Sequence, residues 1–209
     1  MIAKVSSVLV LIVWGVVLYI FSENACSWFE ATFVALVVLV IIIDHEWGLV
    51  RDQSTALQRP YSFSRVQLAW WSCIIISALI GVVKASKKFP VLDGTTLLLL
   101  GISGATMTAA HAIDSSDRSN PAARAGRHQN QNSENFFLDI LSDANGVSIH
   151  RFQALVFNAA YGIWFLSETV QMLSGTTGPS QMPVIDKSSL ALLGISSGTY
   201  AAVKTLENK

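Results

Sequence analysis

Residues 66–83 read VQLAWWSCIIISALIGVV, eighteen positions without a charge, closed by Arg65 on one side and Lys84 on the other. A helix needs roughly 17–25 mostly apolar residues to cross the ~30 Å hydrocarbon core of a bilayer. Val66–Val83 therefore reads as a membrane span, and similar runs lie on both sides of it. Upstream are Val5–Phe21, which has no charge, and Trp28–Ile43, with Glu30 near one end and Asp44-His45-Glu46 at the other. Downstream are Thr95–Ile113, then Phe152–Leu173, interrupted by Asn158, Glu168 and Gln171, and Ser188–Val203, the least apolar. The expectation is an all-α, polytopic membrane helical bundle of about six transmembrane helices.

Composition agrees. Of 209 residues, 52% are apolar and 13% charged, about half the charge of an average soluble domain (~25%). Mean hydropathy is +0.48. Fourteen basic and fourteen acidic residues cancel, so no overall field recruits nucleic acid. Two cysteines and four histidines without CxxC or HxxxH offer no zinc or haem framework, so neither a metal nor another cofactor is expected. There is no nucleophile elbow, phosphate loop or HExxH, and no soluble domain to hold a catalytic site. The chain does not read as an enzyme.

The basic residues set an orientation. With six spans, Lys4, Arg51, Arg59, Arg65, Arg118, Arg124, Arg127, Arg151, Lys204 and Lys209 share one side, ten against the four of Lys84, Lys87, Lys88 and Lys187. Both termini and the central loop are thus expected in the cytoplasm, although the Lys84-Lys87-Lys88 cluster runs against the trend. The first span has one Lys before a long apolar run and no A-x-A site after it, so it fits a signal peptide poorly, and the sequence leaves open whether it is retained. Cys26 on the outer face and Cys73 within a span are not placed to form a disulfide.

A duplication organises the rest. Ser62-Phe-Ser-Arg65-Val-Gln67 returns as Ser148-Ile-His-Arg151-Phe-Gln153, 86 residues later. Phe89-Pro90-Val-Leu-Asp93 returns as Met182-Pro183-Val-Ile-Asp186, and Gly101-Ile-Ser-Gly-Ala-Thr106 as Gly194-Ile-Ser-Ser-Gly-Thr199, both 93 residues later. Three matches in order, separated by one length change around Ser174–Ser180, indicate two tandem helical hairpins of the same orientation, related by an axis along the membrane normal. The expected organisation is an N-terminal helix pair (1–50), a first hairpin (51–114), a cytoplasmic linker (115–147) and a second hairpin (148–209).

Together, Ser148, Arg151 and Gln153, then Met182, Pro183 and Ile185, then Leu192–Tyr200 form a pattern S-x-x-R-x-Q, M-P-x-I, L-L-G-I-S-S-G-T-Y. It resembles a family of bacterial multi-pass membrane proteins of uncharacterised activity. The likeness runs from about Arg51 to the C-terminus. It implies the architecture and an inner-membrane location, and supplies no activity.

Several residues invite a functional reading. Ser103, Thr106, Ser196, Ser197 and Thr199, with Gly101/Ala105 and Gly194/Gly198 as small-xxx-small pairs, fit close helix packing or a hydroxyl-lined path for ions or small polar solutes. A potassium filter is excluded, because Gly198-Thr199-Tyr200 lies in a helical run without the second glycine. Ser62 and Ser148 are expected N-caps. A cation in the first helical turn opposes the macrodipole, so Arg65 is expected to pair with Asp114 and Arg151 with Glu207, unless both arginines snorkel to lipid phosphates. Asp44, His45 and Glu46 form either a site at membrane depth or an interfacial cluster beside Trp47, and Glu168 lies near the outer end of its span. Ser115–Asn132 reads as a flexible linker. Phe136, Phe137, Ile140 and Leu141 follow on one face of a short amphipathic helix that starts after Ser133 and ends near Gly146. The expected partners are the lipid bilayer and either further copies of the chain or a larger membrane complex. Two functions are in view: a channel or transporter-like component, or a non-catalytic scaffold or anchoring subunit.

Overall fold

A computed structural model of the chain describes residues 13–16, 24–90, 94–120, 128–143, 145–175, 179 and 181–205. The fold is all-α, with 76% helix. The helices are α1 (Ala25–Trp47), α2 (Phe63–Ser86), α3 (Gly94–Ser119), α4 (Phe136–Leu141), α5 (Ile149–Ser174) and α6 (Lys187–Lys204). A 3-10 turn occupies His128–Asn130, and β1 (Ser142–Asp143) pairs antiparallel with β2 (Gly146–Val147). Of the first expected span only residues 13–16 are described, and these are helical. Helices α1, α2 and α3 are each long and apolar enough to cross a membrane.

The helices outrun the apolar stretches that announce them, because capping groups set their ends. In α1, Asn24 accepts from the Cys26 amide at 2.9 Å and starts the helix four residues before Trp28. At the other end Gly48 adopts φ 66°, ψ 49°, and its N–H donates to Asp44 O at 2.7 Å. A left-handed residue here stops the helix at Trp47, and glycine does this without a Cβ penalty. Ser62 and Ser148 directly precede α2 and α5, and their carbonyls accept from the Val66 and Phe152 amides, both at 3.0 Å.

The chain divides into two compact units. One comprises Trp70–Leu97, Tyr161–Ile185 and the described part of Met1–Leu49. Its core is built where glycines let helices approach closely. A Cβ on Gly162 would fall 2.4 Å from Trp70 Nε1, and one on Gly81 would fall 2.7 Å from Leu173 Cδ1 and 3.0 Å from Phe29 Cβ. Around these points Trp70 meets Phe33 edge-on at 6.1 Å, and Trp71 meets Phe165 at 6.4 Å. Lipid tails are as apolar as leucine, so such helices associate through van der Waals fit. Buried hydroxyls return to their own helices: Ser77 donates to Cys73 O at 2.7 Å and Thr169 to Phe165 O at 2.8 Å. Asn158 of α5, in the other unit, does likewise with Ala154 O at 2.7 Å.

The other unit comprises Val50–Ala69, Leu98–Ala160 and Asp186–Lys209. Phe63, Ala110, Ile140, Ala154 and Tyr200 form its apolar centre, one residue from each of α2 to α6. The loop before α2 folds back on itself through Asp52 N–H to Pro60 O and Ser62 N–H to Val50 O, both 2.8 Å. It is then tied to the segment before α4. Ser133 N–H donates to Gln58 O at 2.8 Å, and Asp139 accepts from the amides of Tyr61 and Glu134, each at 3.1 Å.

Two sequence expectations change here. Helix α3 continues to Ser119, and His128–Asn130 is an ordered turn with Gln129 buried, so the flexible stretch expected at Ser115–Asn132 is not uniform. The amphipathic helix ends at Leu141, where Ser142 is extended and the small hairpin takes over to Val147. The hairpin follows from Asp143 accepting the Asn145 amide at 2.8 Å, a turn signal that lies beyond the helical apolar pattern.

Candidate functional site

Helix α3 buries Leu99, Ser103, Thr106, Ala110 and Asp114, and α6 buries Leu193, Ser196, Ser197, Tyr200 and Lys204. Spacings of three, four and seven place each set on one helical face. The two helices approach where a Cβ on Gly194 would lie 3.6 Å from Ile102 Cδ1. From α2, Gln67 Nε2 donates to Ser197 Oγ at 3.1 Å. The result is a polar layer inside the second unit, which also holds the Phe63–Tyr200 pair, whose rings are 4.9 Å apart.

Not every polar atom in this layer is satisfied. Thr106 donates to Ile102 O at 2.7 Å, but Ser103 Oγ, Ser196 Oγ and Gln67 Oε1 are buried without a hydrogen-bond partner among the described residues. Thr199 is half-buried on the flank of the same face. The small-residue pairs point elsewhere: Gly101, Ala105 and Gly198 are exposed, and a Cβ on Gly101 or Gly198 would meet nothing within 4 Å.

At the end of the layer, Lys204 Nζ lies 3.3 Å from Asp114 Oδ1, with the side chains 1% and 7% exposed. The sequence expects Arg65 on Asp114; the lysine on this carboxylate is a partner that the pairing of arginines with acids does not give. Arg65 is half-buried and is not without a partner. Arg151 is buried with its guanidinium 5.4 Å over the Tyr200 ring, and Glu207, its expected partner, lies outside the described residues. His111 is exposed, with Nε2 3.2 Å from Gln53 Nε2.

The Asp44-His45-Glu46 cluster is divided by helical rotation. Asp44 turns inward and is buried, whereas His45 and Glu46 face out, 3.6 Å from each other. Glu168 is half-buried and makes no hydrogen bond or ion pair with a described residue, while Lys84 sits 4.8 Å over the Trp28 ring. Among the described residues no group of three His, Cys, Asp or Glu could hold a metal ion.

Asp186 starts α6. It accepts from the amides of Ser188 and Ser189 at 2.9 and 3.0 Å and from the Ser189 hydroxyl. That hydroxyl, then the Ser189 amide, holds the exposed carboxyl below its usual range. A carboxylate with a lowered folded pKa stabilises its helix above the unfolded value and ceases to as pH falls through the folded one. Ser189→Ala is therefore expected to raise the Asp186 pKa, so that the first turn of α6 frays at a higher pH. Hydrogen exchange of the amides from Ser188 to Leu190 across acid pH measures this; an unchanged profile contradicts it.

No protein-family model, curated protein or solved structure matches the chain. The inner polar layer and its buried ion pair therefore carry the functional reading alone.

Proposed function

We propose that the chain is an integral protein of a bacterial inner membrane with six spans, both termini in the cytoplasm, and two tandem hairpins derived from one duplicated unit. In this reading it is a channel or transporter-like component for ions or small polar solutes, with no catalytic role, working as an oligomer or within a membrane complex. The observation that carries it is the pair of orphaned hydroxyls. Ser103 and Ser196 are 93 residues apart, the offset of the duplication, and both are buried without a partner. Leaving a buried polar group unpaired costs about 1–3 kcal/mol. Two such groups at equivalent positions on α3 and α6, with Gln67 Oε1 beside Ser197, supply partners for water or a passing solute.

Flux of several cations from liposomes containing the purified chain tests this. Flux should depend on the protein and fall several-fold in Ser103→Leu and Ser196→Leu, which fill the path. It should fall less in the alanine variants, which remove only the hydroxyls. Liposomes that stay sealed under all conditions overturn the reading.

The outward faces at Gly101, Ala105 and Gly198 favour a second reading, a scaffold whose helices seat against another subunit. Disulfide crosslinking of Gly101→Cys and Gly198→Cys in membranes without flux would support that reading instead.

A further inference from the structure

Apart from the polar layer, a cavity of about 380 Å³ opens in the second unit between the loop before α2, the turn at His128–Asn130, α4, the β-hairpin and the first turn of α5. Among the described residues four carboxylates line it, Asp52, Glu134, Asp139 and Asp143, against one arginine, Arg151. Two of the four are already engaged. Asp139 accepts from the Tyr61 and Glu134 amides and the Ser133 hydroxyl, and Asp143 accepts from the Asn145 amide.

Asp52 is different. It is 7% exposed, its N–H is used in the bond to Pro60 O, and its carboxylate makes no hydrogen bond or ion pair with a described residue. The local backbone explains why the adjacent arginine does not serve it. Arg51 and Tyr61 form an antiparallel bridge, so their side chains share one face and that of Asp52 takes the other. Arg51 accordingly lies 4.1 Å over the Tyr61 ring and donates to its hydroxyl at 2.7 Å. A buried carboxylate without a partner is costly, and the cavity is where a cation can reach it.

We propose that this cavity binds a small organic cation of the alkyl-amine class, with an ammonium group on Asp52. The excess of carboxylates on the wall selects positive charge. Bare metal ions fit less well, since no three ligating side chains converge there, and the volume accommodates an alkyl chain. The site is independent of the path between α3 and α6.

Calorimetric titration of the full chain in detergent with putrescine tests it. Saturable binding is expected, weakened at least tenfold by Asp52→Asn, with the thermal unfolding midpoint of that variant no lower than that of the parent. Glu134→Gln is a second variant, expected to weaken binding less. Absence of saturable binding, equal affinity in Asp52→Asn, or a preference for magnesium or succinate over putrescine each overturns the proposal.

Discussion

Replacing Lys204 with methionine is expected to destabilise the chain by about 3–5 kcal/mol, the range for removing one partner of a buried ion pair. The substitution keeps the length and much of the volume of the side chain, so the loss is electrostatic. Asp114 would stay buried with the charge of this lysine removed. The double variant Lys204→Met/Asp114→Leu removes both charges, and should recover at least half of the loss, because two desolvated charges often stabilise no more than apolar residues of similar volume. Unfolding equilibria in mixed micelles, arranged as a double-mutant cycle, give the coupling between the two residues directly. A single variant within about 0.5 kcal/mol of the parent would mean that the pair is wetter than its burial indicates. A double variant as unstable as the single one would mean that Lys204 acts through packing.

This pair also marks how far the sequence could be read. The apolar runs locate α1, α2 and α3 because hydrophobic length is a local property, and their ends shift by only a few residues once caps such as Asn24 and Gly48 are included. Which carboxylate meets which cation is not local. Lys204 and Asp114 are ninety residues apart, and the duplication paired each arginine with the acid of its own hairpin, a rule that leaves Lys204 without a role. The hydroxyls of α3 and α6 stand out in the sequence as small polar residues within apolar runs, and Ser103, Thr106, Ser196 and Ser197 are buried. The orphaned state of two of them was not legible, because it depends on what the neighbouring helix offers. Asp52 gave no signal. Its isolation depends on the Arg51–Tyr61 bridge, and no pattern in residues 50–62 announces that bridge.

Glycines show the same limit and lead to the second large expected effect. Small-xxx-small spacing draws attention to Gly101, Gly194 and Gly198, yet among the described glycines the tight approaches are at Gly81 and Gly162. A motif states that a backbone can be approached; it does not say from where. Gly81→Leu is expected to cost about 3 kcal/mol or more, at the upper end of overpacking penalties, because the new side chain meets Leu173 Cδ1, Phe29 Cβ and, at 3.5 Å, the Ala25 carbonyl oxygen. Helix propensity works in the opposite direction, since any residue but proline gains up to about 1 kcal/mol over glycine inside a helix, so steric conflict must exceed that gain. Gly81→Ala separates the two. Its Cβ at 2.7 Å conflicts first with a terminal methyl, which can rotate, so a smaller loss is expected, and Leu173→Ala in the same chain should relieve most of it beyond its own cavity cost. Thermal unfolding of Gly81→Leu, Gly81→Ala, Leu173→Ala and the Gly81→Ala/Leu173→Ala double variant in detergent, followed by tryptophan fluorescence, measures both effects. If Gly81→Leu unfolds with the parent, the helices do not approach at Gly81 as closely as the structure has them. If Leu173→Ala gives no relief, the limiting contact is the Phe29 Cβ at 3.0 Å, which cannot turn aside without moving α1.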